Sequence, residues 1–298
     1  MTQVTTATDN YAAMAQQMGM STAMPSSEKK KSSNLPRLRI HHNPLMGEME
    51  VKGKMVKVEV VDGGTYKLEV PEDQTYYSNS AIIRPFLQRF MYKRFIMGTD
   101  NSPNRYVKTV MANDLNSDMK DNDGGFNCGK PSGWIEDFAA LPDTMKDLIR
   151  SIKRARVLLG TVELVDPVDE DGNSVTLSPS PFIWEIENRD AFKTVGGIFT
   201  QLTKMRRLPP QHTFTATTEK RELPNGNCFY LPNVQLDAAN TIDIADSDSQ
   251  ETLANFLAWI SNYNEYILGA WDENKHKNDD VDEELVDSFV DIDADEFV

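Results

Sequence analysis

The sequence predicts a mainly β, α+β protein: an antiparallel β-barrel carrying extra hairpins and about three helices. Three observations predict it. Runs of alternating apolar and polar residues, broken by Gly, Pro and Asn turns, recur between residues 47 and 237. Three other segments repeat their apolar residues at helical spacing. Regular strand–helix–strand alternation, the mark of a parallel sheet, is missing.

Residues 1–34 are polar and rich in Ser, Thr and Met, and are expected to form a disordered arm. "GEMEVKGKMVKVEVVDGGTYKLEV" alternates and breaks at Asp62-Gly63-Gly64, which reads as a β-hairpin. "AIIRPFLQRFMYKRFIMG" predicts a long strand after Pro85, and "NRYVKTVMAN" another; a polar, Gly-rich loop spans Asn113 to Gly133. Pro142 opens a helix over 142–154, with Met145, Leu148, Ile149 and Ile152 on one face. "ARVLLGTVELV" and "FIWEI" are strands separated by the turn "DEDGNS". A second helix covers 189–206 with Phe192, Val195, Phe199 and Leu202 inward; Gly196-Gly197 inside it predicts a kink or a close backbone contact. "HTFTATTEKREL" and "CFYLPNVQLD" flank the turn "PNGN" as a hairpin. A third helix, 249–268, is expected to be capped by Asp248, with Glu251 three residues on. Five or more strands with an interposed helix suit a small closed barrel of the OB type. The expected divisions are a disordered arm at 1–34, an OB-like core at 35–245, an amphipathic helix at 246–271 and a disordered acidic tail at 272–298.

Charge is unevenly distributed. The chain carries a formal −15, yet residues 279–298 hold ten acids and no base, leaving 36 acids against 31 bases elsewhere. Residues 82–108 alone come to +5, residues 141–156 to +3 and residues 188–211 to +4. A nearly neutral body with basic stretches and a separable acidic end is a polarised molecule. It restores nucleic acid as a partner that the total charge argues against.

"RPFLQRFMYKRF" carries the most information. Cations follow phosphates, and flat rings stack on unpaired bases at about 1–3 kcal/mol per base. The expected nucleic-acid-binding residues are Arg84, Phe86, Arg89, Phe90, Tyr92, Lys93, Arg94 and Phe95, continued by Arg105, Tyr106 and Lys108. In a strand, Phe90, Tyr92 and Arg94 share one face and Arg89, Met91, Lys93 and Phe95 the other. The competing explanation is a half-buried strand with core aromatics. Lys204, Arg206 and Arg207 add a second basic cluster, although cations also complement a helix C-terminus. Lys130 lies in "GGFNCGKPSG", close to a phosphate-binding loop, but Pro131 occupies the position of the magnesium-binding hydroxyl. That excludes nucleotide hydrolysis and leaves a basic loop able to close over a strand.

Catalysis and metal binding are not expected. Cys128 and Cys228 stand alone, and His41, His42, His212 and His276 lack ligand spacing. No cofactor is predicted. The N-terminus has no basic and apolar signal pattern, and no apolar run nears the roughly 18 residues that span a bilayer. The expected setting is cytoplasmic, away from membranes.

The ending "DSFVDIDADEFV", after a body of basic-aromatic strands, resembles the single-stranded DNA-binding proteins of bacteria and double-stranded DNA phages. The resemblance implies a tail that recruits replication and recombination proteins and competes with DNA for the groove. It places that role on Asp287, Phe289, Asp291, Asp293, Asp295, Glu296 and Phe297. Relatives often end in the aromatic itself, whereas Val298 follows Phe297 here. "KKKSS" (29–33) is similar to a motif of T-even phage helix-destabilising proteins and implies self-association on DNA. The zinc-binding Cys/His cluster of that phage family is missing. The expected function is therefore a non-enzymatic protein that coats single-stranded DNA in replication, recombination and repair, in the host cytoplasm if phage-encoded. The alternative is an assembly or replisome adaptor that binds only proteins. A metal-dependent nuclease would need a carboxylate cluster in the body, which the pattern does not reveal.

Overall fold

The computed structural model describes residues 35–51, 54–71, 74–98, 103–133 and 135–290; at 49–51 and 276–290 the backbone alone is described. The expected N-terminal arm with "KKKSS", and the terminal residues 291–298, lie outside the described residues. In chain order the elements are β1 (Arg37–His41), β2 (Leu45–Val51), β3 (Lys54–Val61), β4 (Thr65–Val70), β5 (Gln74–Ser78), β6 (Ser80–Ile96) and β7 (Arg105–Lys108). There follow α1 (Asp143–Ser151), β8 (Ile152–Val165), β9 (Ser180–Ile186), α2 (Arg189–Lys204), β10 (Phe214–Glu222), β11 (Cys228–Leu236) and α3 (Ser247–Val290). The fold is mainly β with three α-helices among the described residues, as the periodicities predict.

Two compact units form. The first comprises residues up to Gln88 with Arg156–Trp259; the second comprises Arg89–Ala155 with residues from Ile260 onward. The chain passes between them inside β6, β8 and α3.

In the first unit the strand path is β11-β10-β6-β8-β9-β1-β4-β5, and the sheet is mixed and not closed. The barrel expected from the strand pattern does not form. β1 lies antiparallel to β4 but parallel to β9, with Arg37 opposite Ile183. That parallel pair joins strands far apart in sequence, so no strand–helix alternation announces it. The Asp62-Gly63-Gly64 turn also joins strands of different sheets: β3 pairs with β2 in a separate two-stranded sheet, while β4 pairs with β1 and β5.

Pro85 sits inside β6 because the β10 ladder spans only Ala81–Ile83 and stops short of it, so its missing N–H breaks no pairing there. A Cβ at Gly160 would lie 2.3 Å from the Arg84 carbonyl oxygen, so only glycine lets β8 approach β6 this closely. Leu38, Ile83, Leu158, Phe182 and Phe214 are fully buried, and Val195, Ile198, Phe199 and Leu202 of α2 pack on the same core. Each such side chain contributes about 1.5–3 kcal/mol by leaving water. Asn188 starts α2 by accepting the Asp190 and Ala191 amides, and Arg206, at φ 56°, ends it in the left-handed position usually held by glycine.

The second unit has a smaller core of Tyr92, Val107, Met119 and Cys128. Here α3 is fastened by polar side chains. Tyr263 donates to the Thr109 carbonyl, and Asn264 bonds both backbone groups of Met111. The Trp271 indole N–H donates to Gly125 O at 3.0 Å and Asn274 to Asn122 O at 3.0 Å. The cap of α3 is Asp246, which accepts the Ser249 amide at 2.7 Å, rather than Asp248. The helix also runs past Leu268 to Val290, so residues 272–290 are helical where a disordered tail was expected.

Candidate nucleic-acid interface

The basic-aromatic stretch divides at the passage between units. In the first unit Arg84 donates to Pro210 O at 2.8 Å and Ser249 Oγ at 2.9 Å, with its guanidinium 5.0 Å from the Phe86 ring. Phe86 is buried and meets Phe256 edge-on at 5.7 Å. Both residues hold the fold together; neither offers a surface to a base.

In the second unit the face expected to carry Phe90, Tyr92 and Arg94 points inward. Tyr92 is buried beside Met119 and Cys128, while Phe90 and Arg94 are half-buried. Phe90 exchanges backbone hydrogen bonds with Ala112. Arg94 leans on Gly129, where a Cβ would stand 3.2 Å from its guanidinium. Arg89 is half-buried, and burial lowers its pKa. The reason is geometric. Alternation assigns residues to faces, and the face bearing Tyr92 also bears Ile96 and meets Val107, which form this unit's core.

The opposite face is buried at Met91 and Lys93 and opens only at its end, at Phe95. β6 and β7 pair Lys93 with Lys108, Arg94 with Val107 and Phe95 with Tyr106. Phe95 and Tyr106 therefore stand side by side, with ring centroids 4.9 Å apart and exposures of 44% and 54%. The Lys93 and Lys108 ammoniums lie 5.6 and 5.8 Å from the Tyr106 ring centre. Like charges directly opposite in a ladder destabilise it, and the negative face of a shared ring offsets that. The arrangement places two ammoniums, that of Lys93 largely buried, beside two exposed rings. Arg105 points to the other face and is ion-paired with Asp123.

Lys130 does not reach outward. Its ammonium donates to Pro131 O at 3.1 Å and Gly133 O at 3.3 Å, so the loop closes on itself rather than over a ligand. The amides that a phosphate-binding loop would present are likewise taken: Asp121 accepts from Asp123, Gly125 and Cys128. Burial raises the pKa of Asp121 despite these donors.

Lys204, Arg206 and Arg207 are exposed at the end of α2. Lys204 also lines a cavity of about 410 Å³ on that helix, together with Arg156, Phe192, Lys193, Gly196, Gly197, Thr200 and Gln201. Sequence reasoning missed Arg156 and Lys193. The signal was the Gly196-Gly197 pair, where the neighbour is not the expected backbone but the Arg156 guanidinium, 2.4 Å from where a Gly196 Cβ would stand. Asp287 and Phe289 have helical backbone without described side chains, and Asp291, Asp293, Asp295, Glu296 and Phe297 lie outside the described residues.

Among the described residues no three His, Cys, Asp or Glu side chains gather as a metal site, and no helix is long and apolar enough to cross a membrane. The chain matches no protein-family model, no curated protein and no solved structure.

Proposed function

We propose that this chain is a non-enzymatic single-stranded DNA-binding protein acting in replication, recombination and repair, in the cytoplasm of a bacterial or phage-infected cell. The observation that carries the reading is the exposed Phe95–Tyr106 pair, with the half-buried Lys108 and the largely buried Lys93 beside it. Rings stack on bases of any sequence, and ammoniums track the backbone, which suits a protein that coats DNA without reading it. An OB-like barrel is the finer part of the expectation. The reading does not require it, since an open sheet face with rings and cations supplies the same contacts.

The acidic end fits the same reading. Ten acids within residues 279–298 would compete with DNA for the cationic face and recruit partner proteins when DNA displaces them. With about five phosphates contacted, a slope near −0.7 per phosphate gives roughly a hundredfold loss of affinity between 50 and 200 mM salt.

Fluorescence titration with oligo(dT) tests this. Deleting residues 279–298 is expected to strengthen binding. Combining Phe95→Ala with Tyr106→Ala is expected to weaken it roughly thirtyfold or more, from two lost stacks. No binding by the tailless protein at 50 mM salt would overturn the reading. The packing of Arg84, Phe86 and Tyr92 favours the second reading, an adaptor that binds only proteins, and that result would leave it standing.

A further inference from the structure

The cavity on α2 lies in the first unit and was not among the sequence-derived sites. Lys193, Gly196, Gly197, Thr200 and Lys204 follow one another at three- and four-residue spacing, so they form one stripe along the helix. Arg156 of β8 lies across that stripe. It is 8% exposed, hydrogen-bonded to Gln88, and its guanidinium stands 4.4 Å from the Phe192 ring centre. Burial lowers its pKa to about 10, which leaves it charged at neutral pH.

Two features make this more than a solvated helix face. Glycine in a helix interior costs about 1 kcal/mol relative to alanine, and Gly196 provides the space that Arg156 occupies. At Gly197 a Cβ would meet nothing within 4 Å, so bare helix backbone forms part of an open, flat floor. The lining contains three cations and no carboxylate. At about 410 Å³ the cavity falls in the size range of small-ligand sites.

We infer that this groove binds a phosphorylated nucleoside unit, its phosphate held by Arg156, Lys193 and Lys204 and its flat ring laid over Gly196 and Gly197. The unit can belong to a DNA strand or be a free nucleotide. The first source rests on the function proposed above and the second does not. Thr200 Oγ1 donates to the Gly196 carbonyl at 3.2 Å, so at the same stripe it offers an acceptor to a sugar hydroxyl.

The test uses the full chain and two groove variants. Gly197→Glu places an acid in the groove where there is room for a side chain, so the fold is preserved. The double change Lys193→Ala with Lys204→Ala removes two exposed charges. Binding of dTMP and of inorganic phosphate is followed by calorimetry, and oligo(dT) by fluorescence across a salt series. The expected result is dTMP binding by the wild type that both variants weaken at least about tenfold. If the ligand is a strand, both variants also weaken oligo(dT) binding and reduce its salt slope by about 0.7 for each phosphate lost. Loss of dTMP binding with wild-type oligo(dT) behaviour assigns the groove to free nucleotide. Wild-type behaviour of both variants toward all three probes, or no binding of any probe by the wild type, overturns the inference. Failure of oligo(dT) binding alone, with dTMP still bound, counts against the proposed function and not against the groove.

Discussion

The two ends of β6 use the same residue types for opposite purposes. Near its start, Arg84 and Phe86 are covered by Ser249 and Phe256 of α3, so one cation and one ring are fixed inside the first unit. Near its end, Phe95 pairs with Tyr106 of the four-residue strand β7 and stays half-exposed, although Lys93 two residues earlier is largely buried. A basic-aromatic stretch becomes core where a helix lies over it and surface where its neighbour is a short edge strand. Composition alone cannot distinguish these outcomes, because both ends alternate correctly.

The largest effect that would break this comparison comes from truncating one ring at each end. Phe86→Ala is expected to cost about 3–5 kcal/mol, since it empties a buried site against Phe256. Phe95→Ala, half-exposed, should stay within about 0.5 kcal/mol. Urea denaturation of the two variants measures both. Equal losses would mean that Phe95 is a structural residue and that the open face is not a binding surface.

A smaller effect sharpens the contrast between the units. The first is held by a continuous apolar core, whereas the loop of the second is organised around the Asp121 carboxylate. Asp121→Ala leaves three amides without their acceptor and is expected to cost roughly 1–3 kcal/mol. Amide hydrogen exchange should show lost protection over residues 119–128 while α2 and β10 remain unchanged. Uniform loss across both units would show that they unfold together.

These comparisons also explain what the sequence could convey. The "PNGN" turn gives the β10–β11 hairpin directly, because a tight turn between two alternating runs leaves one possible pairing. The turn at Asp62-Gly63-Gly64 is equally clear and misleads. A turn reports that the chain reverses, not which strand it then joins, and β4 turns to β1. The short strand β1 escaped notice because "RLRIH" is too brief to show a period. Of the candidate site, Phe95, Tyr106, Lys93 and Lys108 were legible as residues but not as a group, since their union depends on the β6–β7 register. The Arg156 groove was legible only as an unexplained pair of glycines.

The two cysteines extend the comparison to the weakest expected effect. Cys128 is buried in the second unit, its thiol directed at Val107 O at 3.5 Å, while Cys228 is exposed at the start of β11 in the first. Burial, reinforced by Asp121, pushes the Cys128 thiol up to about 12. A thiol reagent at pH 8 should therefore label one cysteine in the native protein and two in denaturant. The same shift fixes the sign of a pH dependence. Folding raises the pKa, so the native state holds this proton more tightly than the unfolded chain. The associated stability is fully present below the ordinary thiol value near 9 and is lost as pH rises towards 12. Cys128→Ala should flatten that part of the stability profile, and Cys228→Ala should leave it unchanged. Rapid labelling of both thiols in the native protein would show that the loop around Asp121 opens readily, and the second unit would then lack the closed core on which its exposed rings depend.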